Sequence, residues 1–141
     1  MEMLDTIIFC WLLLVDALVL YYGLLCYFGA KRALDSFSGE SRPKEGLDNF
    51  SESRFVGYEP ETIAVTRRLG IVYIFWSVTM GESILNRYDS NYLLLINAAY
   101  SVLLSAFVHG EKFYARKAVK QNLIVAGIHF GLLFASYYFT K

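Results

Sequence analysis

Four apolar segments, each close to the length of a membrane-spanning helix, dominate this chain of 141 residues. A helix needs about 20 consecutive apolar residues to cross the hydrocarbon core of a bilayer. Helices are required there because lipid offers no hydrogen-bond partner to a free backbone amide. We therefore predict an all-α bundle of four transmembrane helices in a single membrane domain, residues 1–141. The predicted spans are residues 6–28, 69–85, 92–108 and 123–139.

The composition supports a membrane location. Hydrophobic residues make up 56% of the chain and charged residues 18%, which is more apolar surface than the core of so short a soluble domain could bury. Aromatic residues reach 17%, and Tyr and Trp favour the boundary between lipid and water. Because the formal net charge is zero, we expect no nucleic-acid partner.

A long polar loop, residues 31–68, separates the first and second predicted spans. It holds seven basic and seven acidic residues, and this balanced charge is suited to docking on a soluble domain of a partner. Pro60 lies between Glu59 and Glu61, which favours the start of the next helix there. Residues 86–91 predict a tight turn, so the second and third spans should form an antiparallel hairpin.

The linker between the third and fourth spans is basic at near-helical spacing, which is typical of a helix lying in the membrane interface. Its basic residues are candidate contacts for anionic lipid headgroups such as cardiolipin, or they are topology signals alone. These residues are Lys112, Arg116, Lys117 and Lys120. Beyond bound phospholipid, we predict no cofactor.

The distribution of Lys and Arg predicts the orientation. The first and third loops carry 11 of the 13 basic residues, and basic loops stay on the cytoplasmic or matrix side. Both termini should therefore face the lumen or the intermembrane space.

Two ionisable residues lie near the middle of predicted spans, where they are costly and so indicate function. Asp16 lies roughly 15 Å into the first span, and His129 lies at the middle of the fourth. Their matching depth predicts a buried pair, which could form a proton or quinone site. The structural alternative is hydrogen bonding between helices, or a carboxylic acid kept neutral by burial.

Polar side chains also form stripes on the second and third spans. Thr79, Glu82, Ser83 and Asn86 share one face of the second span, and Asn97, Ser101, Ser105 and His109 follow each other at steps of four on the third. We expect the two stripes to face each other, with Glu82 and Asn97 at similar depth. They indicate hydrogen-bonded helix packing or, alternatively, a groove lined for a ligand.

The fourth span carries small residues four positions apart, at Gly127, Gly131 and Ala135. Such a ridge lets a second helix approach closely. The partner helix could belong to this chain or to another subunit.

Signatures of enzymes are not evident in the sequence. It contains no nucleophile elbow, phosphate-binding glycine loop, histidine box or zinc signature. A haem held by two histidines needs both at the same depth, but His129 lies about 10 Å deeper than His109. We therefore predict no catalytic residue and no metal ligand. The alternative is a membrane enzyme that modifies a lipid or a quinone with Asp16 and His129.

A short motif lies in the second and third spans. Arg67 stands three positions before Gly70, a polar turn contains residues 91–93, and His109 and Glu111 close the third span. This third of the chain resembles the ergosterol biosynthesis protein 28 family, although the first loop is longer and the His–Glu spacing is closer. The resemblance implies a non-catalytic four-span scaffold of the endoplasmic reticulum that tethers enzymes of sterol C4-demethylation.

Taken with the helix-packing ridge and the basic linker, these features predict a non-catalytic accessory subunit that packs against other membrane subunits. We expect a mitochondrial respiratory complex or ATP synthase in the inner membrane. A sterol-biosynthesis scaffold of the endoplasmic reticulum is the second expectation.

Overall fold

The computed structural model describes residues 2–38, 60–110 and 116–139, and every element in these ranges is an α-helix. The prediction of an all-α fold is therefore confirmed. Three helices are long and apolar enough to cross a membrane, and a fourth, α4, contributes a shorter apolar stretch over Ser90–Ala106. The helices are α1 (Glu2–Phe28), α2 (Ala30–Ser38), α3 (Pro60–Leu85), α4 (Ser90–Gly110) and α5 (Arg116–Phe139).

The helices extend beyond the predicted spans, which corrects the predicted loops. α3 begins at Pro60, as its sequence predicted, so residues 60–68 are helix rather than loop. At the other end of the predicted loop 31–68, α2 follows α1 after an interruption at Gly29. Its apolar face, Ala30, Ala33 and Leu34, is buried, which explains why this polar segment is helical. The rest of that loop, 39–59, lies outside the described residues.

The basic linker also differs from its prediction. From Arg116 onward it belongs to α5 rather than to a separate interfacial helix, because no helix-breaking residue separates it from the apolar part of that helix. Residues 111–115, which include Lys112, lie outside the described residues.

The outward surface of the long helices is apolar. Large side chains such as Leu14 on α1, Phe75 on α3, Leu103 on α4 and Phe134 on α5 are each more than half exposed. Soluble monomers rarely expose so much contiguous apolar surface. Several hydroxyl groups bond to the carbonyl four residues earlier on their own helix, for example Thr79 to Phe75, which satisfies them without water. The chain is thus consistent with an integral membrane protein.

The long helices pack as two close pairs, α1 with α3 and α4 with α5. Two glycines make the first pair possible. A Cβ atom added at Gly70 would lie 2.7 Å from the carbonyl oxygen of Gly23 and 2.7 Å from the amide nitrogen of Tyr27. One added at Gly23 would lie 3.0 Å from the amide nitrogen of Ile74. The backbones of α1 and α3 therefore touch where any larger residue would force them apart.

A hydrophobic cluster joins the two pairs near the turn between α3 and α4. Its buried members are Ile8 and Leu12 from α1, Met80 and Ile84 from α3, and Leu93 and Leu94 from α4, with Leu132 and Leu133 of α5 packed against them. The start of α1, the end of α3, the start of α4 and the end of α5 therefore meet at one end of the bundle, which we call the turn end. The opposite end, where α2 lies, is the α2 end.

The turn itself is defined by backbone hydrogen bonds. The amides of Arg87 and Tyr88 donate to the carbonyls of Ile84 and Ser83, and Arg87 has a left-handed φ of 52°, which closes α3 in a Schellman motif. The Asp89 carboxylate then accepts the amide of Asn91 at 3.0 Å and caps the start of α4.

Gly70 and Gly127 form a matched pair for a test of the glycine contact. We expect Gly70→Ala to destabilise the purified protein by about 1–3 kcal/mol, because the added methyl group meets backbone atoms that must move. Gly127→Ala should be neutral or stabilising by up to about 1 kcal/mol, since no neighbour within residues 2–38, 60–110 or 116–139 comes within 4 Å of the added group and alanine is the better helix former. Unfolding in mild detergent followed by circular dichroism measures both, and equal effects would contradict the close contact.

Candidate functional site

The polar interior of the bundle is concentrated between the two helix pairs. We call the surface along which α1 and α3 meet α4 and α5 the inter-pair interface. Tyr100 of α4 donates its hydroxyl hydrogen to the hydroxyl oxygen of Tyr73 of α3 at 3.0 Å, and its ring stacks on Trp76. Within the described residues, α3 and α4 approach mainly through such long side chains and make few close backbone contacts.

Trp11 and His129 link α1 to α5 across this interface. The indole N–H of Trp11 donates to Nδ1 of His129 at 3.2 Å, and the two rings meet edge to face with centroids 5.7 Å apart. His129 is fully buried. Because Nδ1 accepts a hydrogen bond, a neutral ring carries its hydrogen on Nε2. Nε2 is buried and has no hydrogen-bond partner among the described residues.

Asp16 lies between α1 and α3, inside the first pair. Ser77 of α3 donates to the backbone oxygen of Asp16 at 3.3 Å. A Cβ atom at Gly81 would lie 3.1 Å from Oδ2 of Asp16, so the glycine makes room for the carboxyl group. The other oxygen, Oδ1, is buried and has no hydrogen-bond partner in the described part of the chain.

The predicted pair of Asp16 with His129 is not formed, since each has a different neighbour. The hydrogen bond to His129 comes instead from Trp11. Asp16 lies five positions after Trp11, which is about 140° around the helix. One face of α1 therefore turns to α5 while Asp16 turns to α3. Matching depth in the sequence does not determine which face a side chain occupies.

The polar stripe of α4 is buried, as helix packing requires. Asn97, Ser101 and Ser105 are each less than one-tenth exposed. The Asn97 amide donates to the carbonyl of Leu93 at 2.8 Å and to the sulfur of Met80 at 3.8 Å. Ser105 donates to the carbonyl of Ser101 at 2.7 Å. The side chain of His109, the fourth member of the predicted stripe, lies outside the described residues.

The polar stripe of α3 does not face the stripe of α4. Thr79, Glu82 and Asn86 are exposed, and Ser83 donates to the carbonyl of Thr79 on its own helix. The contact with Asn97 comes from Met80 rather than from Glu82. The expected facing stripes are thus corrected: aromatic and thioether side chains of α3 meet α4, because its polar stripe lies on another face of the helix.

The glycine ridge of α5 is open. Gly127 and Gly131 are exposed, and Ala135 is half-buried. In the described part of the chain, no neighbouring atom lies within 4 Å of a Cβ position at either glycine. An open apolar groove of about 740 Å³ adjoins the ridge. Its walls are Asn91, Phe130, Gly131, Leu133, Phe134 and Tyr137. His129 lies off this ridge and points into the bundle, so α5 has one face for the bundle and another that no helix of the described chain covers.

Of the predicted lipid contacts, Lys120 is exposed on α5. The side chains of Arg116 and Lys117 lie outside the described residues, as does Lys112. No group of three or more His, Cys, Asp or Glu side chains that could hold a metal ion occurs within the ranges 2–38, 60–110 and 116–139.

Sequence reasoning missed several partners of the interior polar groups. Trp11, Tyr73 and Tyr100 were not among the predicted site residues, yet their polar atoms form hydrogen bonds between the pairs. A signal was available for Tyr100, which lies at the middle of the third predicted span rather than at its end. Among the described residues, two buried side-chain atoms have no hydrogen-bond partner: Oδ1 of Asp16, an acceptor, and Nε2 of His129, a donor in the neutral ring. They belong to different helix interfaces.

A double-mutant cycle tests the Trp11–His129 hydrogen bond. We expect Trp11→Phe and His129→Leu to be coupled by about 0.6–1.7 kcal/mol, the range of hydrogen bonds between helices in a bilayer. Denaturation of the purified protein in mixed micelles provides the four free energies of unfolding. Trp11→Phe combined with Thr66→Val is the control, because Thr66 bonds within its own helix. A cycle in which both combinations are additive would contradict the bond.

Comparison of the chain with protein-family models, with characterised proteins and with solved structures found no match.

Proposed function

We propose that this protein is a non-catalytic accessory subunit of a larger membrane complex, and that it packs against a neighbouring subunit through the open ridge of α5. The observation that carries the proposal is the exposure of Gly127 and Gly131, near whose Cβ positions no neighbouring atom of the described chain lies. Glycine in a helix interior costs about 1 kcal/mol relative to alanine. Two such glycines on an outward face are explained if another helix packs closely there.

The chain itself shows what a filled glycine contact looks like. At Gly70, where α3 meets α1, backbone atoms occupy the space that a side chain would take. The same residue type on α5 lacks such a neighbour within the described chain. The adjoining groove of about 740 Å³ provides room for side chains of the partner helix beside the ridge.

For the identity of the complex, our proposal is a mitochondrial respiratory complex or ATP synthase, with both termini in the intermembrane space. The scaffold of sterol enzymes in the endoplasmic reticulum is the second candidate, and the resemblance of residues 67–111 favours it. Gly70 of that motif has a packing role in the α1–α3 contact, so its presence does not require a scaffold function.

The alternative to a structural subunit is an enzyme that modifies a lipid or a quinone. It would use the half-buried Asp16 and the buried His129, whose atoms Oδ1 and Nε2 have no partner among the described residues and could bind a substrate. The two side chains belong to different helix interfaces, and for this reason we favour the subunit.

Leucine substitutions on the ridge test the proposal. We expect the tagged wild-type chain, extracted in mild detergent, to migrate on a native gel as part of a large complex. Gly127→Leu with Gly131→Leu should release the chain to the monomer position, because the larger side chains keep a partner helix at a distance. The fold should survive, since no neighbouring atom of the described residues lies within 4 Å of a Cβ position at either site, and a circular dichroism melt checks this.

The matched control is Val72→Leu on the exposed face of α3, which should leave the complex intact. A wild-type chain that migrates alone would contradict the subunit role and favour the enzyme. Mass spectrometry of the large band distinguishes respiratory or ATP synthase subunits from sterol enzymes.

A further inference from the structure

Among the side chains that the structure describes, the exposed charges at the two ends of the bundle are mostly of opposite sign. Exposed basic side chains from three helices lie at the α2 end: Lys31 and Arg32 on α2, Arg67 and Arg68 on α3, and Lys120 on α5. Glu61 is the one acidic residue whose side chain is described there. At the turn end the exposed charges are Glu2, Asp5, Glu82 and Asp89, with Arg87. The formal net charge of zero does not reveal this difference between the two ends.

The glycine contact brings the basic residues of α2 and α3 to the same level. Gly70 of α3 lies against Tyr27 of α1. Tyr27 is two residues before Gly29, where the helix is interrupted. Because the two helices are antiparallel, Arg67 lies about 4.5 Å further toward the α2 end. That is the level at which α1 finishes and Lys31 and Arg32 begin α2. Two pairs of adjacent basic residues from different helices therefore lie at one depth.

Helix α2 is held in place. Ala30, Ala33 and Leu34 are buried against α1 and α3, with which α2 makes its contacts. Arg32 is on the exposed side of this anchored helix. Packing thus holds the helix that carries Lys31 and Arg32 in one position. This lowers the entropic cost of binding an anion there.

The neighbouring surface has the chemistry of a bilayer boundary. Tyr27 and Phe28, the last residues of α1, are exposed, and exposed aromatic rings are typical of the headgroup level. Apolar side chains such as Val72 follow on α3. The basic residues therefore lie where the phosphate groups of a leaflet would be.

We propose that Lys31, Arg32, Arg67 and Arg68, which lie at one depth around the α2 end, together bind the phosphodiester headgroups of anionic phospholipids. We call the surface that they form the α2–α3 basic patch. Arginine suits the role because its planar fork can donate two hydrogen bonds to one phosphate group. The patch is separate from the basic linker before α5, and the proposal holds whether or not the chain is a subunit of a complex.

The test uses the purified full-length protein, stripped of lipid in mild detergent. Native mass spectrometry counts bound molecules during titration with phosphatidylglycerol and, in parallel, with phosphatidylcholine. We expect wild-type protein to retain the anionic lipid preferentially. Arg67→Gln with Arg68→Gln should reduce that preference about thirtyfold, given roughly 1 kcal/mol for each basic residue near an anionic surface.

Arg87→Gln at the turn end is the matched control, and it should leave the preference unchanged. If the double variant unfolds, Arg32→Gln, on the exposed side of α2, provides a second variant that should reduce the preference by a few fold. Equal binding of the two lipids to wild-type protein would overturn the proposal, as would an undiminished preference in the patch variants. Displacement of the lipid by an equal concentration of inorganic phosphate would instead indicate a site for soluble anions, and so contradict a lipid surface.

Discussion

The backbone contact between α1 and α3 at Gly23 and Gly70 determines where most other groups in the chain lie. With Gly70 against Tyr27 and Gly23 against Ile74, the antiparallel register of the two helices is fixed. That register places Ser77 and Gly81 beside Asp16, so that a carboxyl group can be accommodated between apolar helices. It also brings Met80 and Ile84 to Ile8 and Leu12, where the hydrophobic cluster begins.

The inter-pair interface has a different physical character. Inside the α1–α3 pair small residues let backbones touch, whereas the two pairs meet through large aromatic and thioether side chains. Hydrogen bonds from Trp11 and Tyr100 provide direction there. In a bilayer such bonds contribute modestly to stability, but few alternative arrangements would satisfy them. Close packing thus stabilises each helix pair, whereas hydrogen bonds between polar groups determine how the α1–α3 pair is oriented relative to the α4–α5 pair.

The sequence was informative about helices and much less so about their neighbours. Apolar runs and the acidic residues around Pro60 predicted helical segments, because these signals depend on local chain properties. The contact of Gly23 with Gly70 was not predicted, since α1 has no small residue four positions from Gly23. The small residues Thr66 and Gly70 of α3, which do have that spacing, therefore had no visible partner ridge. The ridge of α5 does show that repeat, yet no helix of the described chain covers it.

The predicted polar partners failed for a related reason. Asp16 and His129 were predicted at matching depth, as were Glu82 and Asn97. A contact depends both on the depth of a residue and on the direction in which it points from the helix axis. The rotation of each helix about its axis is set by packing, which a single sequence does not encode locally. Met80 and Trp11, whose polar or polarizable atoms complete the observed contacts, carry no pattern that marks them as partners.

The pairing of α1 with α3 has a consequence for biosynthesis. These helices are separated in sequence by residues 29–59, so α1 must remain in the membrane without its close partner until α3 has been made. Among the helices able to span, α1 is the most apolar, which suits a segment that enters lipid alone. α3 and α5 are less apolar, and each arrives after its partner, α1 or α4, has been synthesised. The order of synthesis thus matches the order in which each helix can be stable in lipid.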